Sequence, residues 1–169
     1  MVKRRIRRYA SIAVAAALGA TLAGWIANAA ADSRAPPTTS KELFDWLRTG
    51  GYKSWARETD PRPSRGSHPG GVLTYLNPAL DASLKAASAT HPEGAATVLE
   101  LYGKQGAVHG WAVSVKTQRD SAGGKGWYWY EVLSTEDGSR TLAADAGAAS
   151  CVECHAQGRD FVLTPFPLK

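Results

Sequence analysis

The chain has 169 residues and a formal net charge of +5, from 20 Lys and Arg against 15 Asp and Glu. Five of the basic residues lie among the first eight, and the other 15 balance the acidic residues of the chain. Outside its first residues the chain is therefore formally neutral, and its composition does not support nucleic acid or an anionic membrane surface as a partner.

The start of the chain has the order of a secretory signal peptide. A cationic segment is followed by an apolar run at residues 12–26 and by small residues, with cleavage expected after Ala29 or Ala31. This apolar run is shorter than the roughly 20 residues that a transmembrane helix needs, which disfavours an uncleaved anchor. The sequence therefore predicts export to the periplasm and no membrane attachment after cleavage.

The predicted organisation is one domain. Residues 1–29 form the signal peptide, and residues 30–40, which include two adjacent prolines, are expected to be a disordered lead-in. Residues 41–169 are long enough for one hydrophobic core.

A first helix is predicted after this lead-in. Thr39 and Glu42 have the spacing of a capping box, in which Thr39 accepts a hydrogen bond from an amide three residues on. Apolar residues then recur at helical spacing until Gly50 and Gly51, giving a helix of about eleven residues. The segment 59–71 contains three prolines and is expected to be irregular over most of its length.

The middle of the chain predicts strands and a second helix. Residues 72–76 are typical of a strand, and Asn77 followed by Pro78 is typical of a helix start, with Leu80 and Leu84 on its apolar side. Three further strands are predicted at residues 95–102, 108–117 and 126–133, and the turns between them favour antiparallel pairing of neighbours.

The last of these strands has the sequence Trp-Tyr-Trp-Tyr at residues 127–130. Strand alternation places Trp127 and Trp129 on one face and Tyr128 and Tyr130 on the other. Packing in the core and at a dimer interface is one interpretation of these aromatics, and lining of a cofactor is the other. Residues 143–150 are expected to be a loop of small residues. The predicted fold class is α+β, a small antiparallel sheet with about two helices and an irregular C-terminal segment.

Both cysteines of the chain lie in one motif, Cys151-Val152-Glu153-Cys154-His155. This is the attachment signature of a c-type haem, with two thiols for the two vinyl groups and an adjacent imidazole for the iron. A redox-active disulfide is an alternative, but that pair is expected at a helix start after a strand. A zinc site would need a fourth ligand from elsewhere in the chain.

The sequence also constrains the sixth ligand of such an iron. Met1 is the sole methionine and is lost with the signal peptide, which excludes His/Met coordination in the exported protein. His68, His91, His109, a lysine, water or an empty position remain. None of the three histidines has a spacing that indicates ligation, so an open iron that binds small ligands is the simplest interpretation.

Several further motifs, spread over most of residues 43–167, resemble the cytochrome P-460 family, which includes the β-sheet cytochromes c′ called c′-beta. They are Tyr-Leu-Asn at 75–77, Pro-Glu-Gly at 92–94 with Val98, Glu100 and Tyr102, Gly-Trp-Tyr-Trp at 126–129, Cys151 to His155, and Asp-Phe-Val-Leu-Thr at 160–164. The resemblance implies a mostly β homodimer with one covalent haem per chain. It also implies a proximal histidine, matching His155, and a five-coordinate iron.

Members of this family either oxidise hydroxylamine or bind nitric oxide and carbon monoxide. The resemblance places the haem-crosslinking lysine of the hydroxylamine oxidisers at Leu99, just before Glu100, and leucine has no nitrogen to form that bond. Their arginine in the preceding strand has no match in residues 72–76. Glu131 cannot be assigned by the resemblance to a distal acid.

These differences predict an apolar cap over the iron at Leu99 and no general base within reach, which favours a diatomic ligand such as nitric oxide. A hydroxylamine-oxidising or peroxidatic enzyme with His68, His109 or the loop 59–71 supplying the distal groups is the alternative. An electron carrier with a His or Lys sixth ligand is a third interpretation. Its redox partner cannot be read from the sequence.

Overall fold

A computed structural model describes residues 35–169. The predicted signal peptide lies outside the described residues, and so does the first part of the predicted lead-in. From residue 35 the chain has no regular secondary structure, buries Pro36 and enters the first helix at Ser40. The helices are α1 (Ser40–Arg48), α2 (Pro78–Lys85) and α3 (Ala149–His155). The strands are β1 (Ala56–Arg57), β2 (Arg62–Pro63), β3 (Gly71–Leu76), β4 (Ala96–Tyr102), β5 (Val108–Lys116), β6 (Trp127–Val132) and β7 (Thr141–Ala146).

The strands form one antiparallel sheet of seven strands in the order β1-β3-β4-β5-β6-β7, with β2 also paired to β3. Strands β3 to β6 pair antiparallel with their neighbours as predicted, and α2 lies between β3 and β4, where the second helix was expected. The α+β fold class is therefore confirmed. No helix among residues 35–169 is long and apolar enough to cross a membrane.

The two predicted helix starts have different outcomes. Asn77 caps α2 as expected, because its side-chain oxygen accepts a hydrogen bond from the Leu80 amide at 3.0 Å. The capping box of α1 is wrong: the Thr39 hydroxyl donates to the Glu42 carboxylate at 2.6 Å and caps no amide. Helix α1 has nine residues and ends before Gly50, whose positive φ of 74° suits glycine.

The predicted loop at residues 143–150 is also wrong. Strand β7 continues to Ala146, the chain turns at Gly147, and α3 begins at Ala149. The alanines of β7 have little strand propensity of their own, but they pair with the bulky β6, where Tyr128 lies opposite Ala146 and Tyr130 opposite Ala144. Tertiary pairing therefore decides the conformation of this segment.

The two faces of the sheet pack against different elements. Tyr128 and Tyr130 belong to a core that includes Leu43 and Leu47 of α1. Trp127 and Trp129 belong to a second core that includes residues of α2, α3 and the C-terminal segment. The predicted division of the aromatic strand is thus confirmed, and the face that carries the tryptophans also borders a cavity.

Candidate functional site

The cavity has a volume of about 410 Å³ and lies between the sheet, the loop around residues 62–68, α3 and the segment 161–165. This volume is within the range of pockets that bind small molecules and cofactors. Its sheet wall is formed by Val72, Thr74, Thr97, Leu99, Ala112 and Glu131. Three predicted site residues of the C-terminal motif line the same cavity.

Helix α3 brings the cysteine motif to this cavity. Cys151 is half-buried and Cys154 is exposed, both thiols are free, and both line the cavity together with His155. Residues three apart on a helix lie on the same side of it, so the two thiols share one edge of the cavity. The predicted residues Cys151, Cys154, His155 and Leu99 are therefore brought together in one place.

His155 is oriented by a hydrogen bond to the backbone. Its Nδ1 lies 2.8 Å from the carbonyl oxygen of Phe161, and because a carbonyl can only accept, Nδ1 carries the proton. Burial lowers the pKa of His155, so the ring is neutral near neutral pH and Nε2 holds a free lone pair. The indole of Trp129 packs on the imidazole with 4.6 Å between ring centroids. A neutral imidazole held in this way is typical of a metal ligand.

The surroundings of the two cysteines also bear on the alternative of a redox-active disulfide. The expectation that the motif follows a loop is wrong, because the motif lies on a helix that begins shortly after a strand. However, burial raises the pKa of the Cys151 thiol, whereas redox-active cysteines have lowered values. The sheet is also antiparallel throughout, unlike the βαβ context of such pairs.

The zinc alternative gains no support either. In residues 35–169, no group of three or more His, Cys, Asp or Glu side chains is arranged to hold a metal ion. The donor set at the cavity, two thiols with one imidazole directly after the second, instead fits a haem that carries its own four nitrogen ligands to the iron.

Leu99 faces the cavity from the centre of the sheet. One row of paired residues crosses four strands, with Thr74 opposite Leu99, Leu99 opposite Ala112, and Ala112 opposite Glu131. Leu99 and Ala112 give this wall an apolar centre, whereas the buried hydroxyl of Thr74 has no hydrogen-bond partner among the described residues. Glu131 places a carboxylate at its end.

A carboxylate and a second imidazole also border this cavity. Glu131 lines the cavity, and its Oε1 lies 3.1 Å from Nδ1 of His68, which lines the cavity as well. The carboxylate can only accept, so His68 donates from Nδ1. The two residues are 63 positions apart in the chain, which hid their pairing from the sequence. Alternation along β6 could have placed Glu131 on this face of the sheet, because Glu131 lies two residues after Trp129.

The other candidate ligands lie elsewhere. Among the described residues, His68 and His155 are the histidines that line the cavity, and none of the described lysines does. His91 is buried with its Nδ1 2.9 Å from the Ser83 hydroxyl. His109 is not among the residues that line the cavity, so the structure gives no support to the distal role that was one alternative for it.

The loop that carries His68 is fastened to the sheet by a buried carboxylate. Glu58 accepts from Nε of Arg62 at 2.6 Å and from the amide of Thr74 at 2.7 Å. Arg62 and Arg65 both line the cavity, and they are its cationic residues. The charge of Arg62 is paired with Glu58, so Arg65 supplies the net positive charge of the loop wall, which suits carboxylate groups such as the propionates of a haem.

Helix α3 packs closely against the turn at residues 121–124. A Cβ atom on Gly124 would lie 2.6 Å from a methyl carbon of Val152 and 3.2 Å from the ring of Phe161, and the residue has a φ of +96°. Glycine is therefore required both by space and by backbone conformation. This contact holds α3 and the segment after it close to the turn, with His155 of α3 against Trp129.

Comparison of the chain with models of known protein families found no match, and no curated protein matched it.

Proposed function

We propose that this protein is an exported c-type cytochrome with one haem, which binds a small diatomic ligand such as nitric oxide at an open iron. The observation that carries the proposal is that Cys151, Cys154 and His155 line one cavity while His155 keeps Nε2 free. In this proposal Cys151 and Cys154 hold the haem, and His155 binds the iron.

The attachment requires no oxidant or reductant. Each thiol adds across one vinyl group, with sulfur forming a bond to one carbon and hydrogen to the other. The free thiols of Cys151 and Cys154 have the oxidation state that this addition needs. Arg62 and Arg65 would bind the propionates from the loop wall, and Trp129 would fix the plane of the imidazole.

When bound, the haem supplies an iron with an exchangeable coordination position. Leu99 and Ala112 give this part of the cavity an apolar surface, which suits a neutral diatomic ligand. The resemblance to the cytochrome P-460 family supports the same proposal, and with it a periplasmic location and a homodimer.

The second candidate function is oxidation of hydroxylamine or reduction of peroxide. The pair of His68 and Glu131 favours it, because these reactions transfer protons and a carboxylate with a bound imidazole can accept and return them. The loop carrying His68 belongs to the segment expected to supply distal groups for an enzyme.

Optical spectra of the full chain, produced in a host that attaches c-type haem, test the main proposal. We expect a pyridine haemochrome of a haem with two thioether bonds, one haem per chain, and a ferrous spectrum that changes when carbon monoxide is added. A protein without covalent haem would overturn the proposal. A low-spin ferrous spectrum that carbon monoxide does not change, together with reversible one-electron chemistry, would instead support an electron carrier.

Steady-state assays with hydroxylamine and an electron acceptor, and with peroxide and a reductant, test the second candidate. If the His68–Glu131 pair transfers protons, Glu131→Gln lowers kcat about 100-fold or more. The matched control is Glu136→Gln, an exposed glutamate in the turn after β6. Absence of turnover in the unmodified protein over the whole pH range would exclude this candidate.

A further inference from the structure

We propose that Asp160, through its buried ion pair with Lys116, positions His155 for the iron by holding the backbone carbonyl of Phe161 in place. Asp160 acts through Phe161 and is a positioning residue. The inference rests on the proposed function, because it assigns Asp160 a role toward a haem iron that His155 would bind.

Asp160 lies in a buried polar cluster that the cysteine motif does not contribute to. Its carboxylate is 2.5 Å from Nζ of Lys116, accepts from the amide of His91 at 2.6 Å, and accepts from the hydroxyl of Ser121. The side chain of Lys116 has no exposed surface and that of Asp160 is 5% exposed. Burying both charges is costly, so the cluster is stable only when all of these partners are present.

Aromatic contacts complete the cluster. Nε1 of Trp127 donates to the Ser121 hydroxyl at 3.1 Å, and Nζ of Lys116 lies 5.7 Å from the centroid of the Trp127 ring. Asp160 is thus tied directly to the end of β5, the turn at residue 121 and the loop at residue 91, and the first two of these contact Trp127 at the start of β6. These three attachments fix its position relative to the sheet.

The backbone around Asp160 needs such attachments. Asp160 and Phe161 have φ angles of 47° and 68°, so two successive residues with side chains adopt the left-handed conformation. That conformation is unfavourable for such residues and persists where the surroundings enforce it. The cluster supplies the enforcement at Asp160, and the turn aims the next carbonyl, that of Phe161, at Nδ1 of His155.

The hydrogen bond from His155 to Phe161 sets how strongly Nε2 donates electrons. A well-directed acceptor at Nδ1 raises the basicity of the ligating nitrogen and fixes the ring orientation. If Asp160 loses its charge, the turn relaxes, the hydrogen bond lengthens and the iron–histidine bond weakens. A weaker donor stabilises ferric iron less, so the reduction potential rises.

Resonance Raman spectra and redox titrations of the haem-loaded full chain test the inference. In Asp160→Asn we expect the iron–histidine stretching frequency of the ferrous protein to shift down and the reduction potential to become more positive. Ser121→Ala removes one of the donors and leaves the ion pair, so a smaller shift in the same direction is expected. Asp60→Asn, at an exposed carboxylate, is the matched control and leaves both quantities unchanged.

The outcomes separate this inference from the proposed function. Unmodified protein without covalent haem overturns the proposed function and the inference with it. Covalent haem with the same stretching frequency and potential in Asp160→Asn overturns the inference alone. If Asp160→Asn does not accumulate as folded protein, Ser121→Ala decides, and an unchanged frequency and potential in that variant overturn the inference.

Discussion

On the face of the sheet that packs against α1, Glu100 accepts hydrogen bonds from the hydroxyls of Tyr52 at 2.5 Å, Tyr102 at 2.8 Å and Tyr75 at 3.2 Å, and from Lys53. On the opposite face, Glu131 pairs with His68 and both border open space. Both carboxylates lie on central strands. The first is 1% exposed and surrounded by donors, whereas the second remains accessible.

This difference separates stability from function within one sheet. Strand alternation sends Glu100 and Leu99, adjacent in sequence, to opposite faces. A buried carboxylate with all its acceptor sites filled stabilises the fold and has no capacity left for a ligand. The accessible face carries the thiols, the imidazoles and the cavity. Substitutions on the two faces are therefore expected to affect different measurements.

The largest expected effect is on the cavity face. The double variant Cys151→Ala, Cys154→Ala should abolish covalent haem, seen as loss of haem staining on a denaturing gel. Neither thiol is fully buried, so we expect the haem-free fold to stay within about 0.5 kcal/mol of haem-free unmodified protein in urea unfolding. Retention of covalent haem in the double variant would contradict the assignment of the motif. Val152→Ala, which lies between the thiols, should keep the haem.

The next effect should come from the α1 face. Glu100→Gln replaces an acceptor-only carboxylate with a group whose amide faces three hydroxyls and Lys53, which leaves donors unpaired. We expect a loss of about 2–3 kcal/mol in the free energy of unfolding, measured in urea, with haem attachment unchanged. Glu42→Gln, at an exposed residue of α1, should change stability by less than about 0.5 kcal/mol. Loss of covalent haem in folded Glu100→Gln would break the separation of the two faces.

The smallest effect concerns pH. Burial by itself would raise the pKa of Glu100, but the hydrogen bonds from Lys53, Tyr52 and Tyr102 outweigh it and hold the pKa below its ordinary value. A carboxyl group with a lowered folded-state pKa stabilises the fold above its unfolded-state pKa of about 4. That contribution is lost as pH falls from there through the folded-state value.

Urea unfolding at about pH 7, 4 and 3 measures this dependence. The unmodified protein should lose stability over the acid steps, and Glu100→Gln should lose less. The difference is partial, because the pKa of Asp160 is lowered too: burial raises it, but Lys116, Ser121 and the His91 amide outweigh that effect. Equal acid slopes in the two proteins would show that Glu100 does not carry the predicted share.

The sequence predicted those strands and helices whose signals lie within a few neighbouring residues. Alternation and turn residues located β3 to β6, and the Asn77-Pro78 start located α2, because each signal lies within a few residues. Strand β7 was missed since its alanines become a strand only by pairing with β6. The short strands β1 and β2 were missed because each has only two residues and becomes a strand by pairing with β3.

The candidate site divides in the same way. The contiguous motif from Cys151 to His155 was found because all its chemistry lies within five positions, and Leu99 was found through a family resemblance. The pair of His68 and Glu131 and the cluster around Asp160 join residues distant in the chain. The sequence contains their members but not their proximity, which the order of strands in the sheet creates.

The close contact at Gly124 has a consequence for how the sequence can vary. Gly124 has no side chain in the cavity and would bind neither haem nor iron. A single added methyl group would nevertheless collide with Val152, which lies between the two cysteines. It would also crowd the ring of Phe161, whose carbonyl accepts the hydrogen bond of His155. In a library of random variants screened for haem content, Gly124 should tolerate as few replacements as the cysteines themselves, although nothing in its chemistry reveals it.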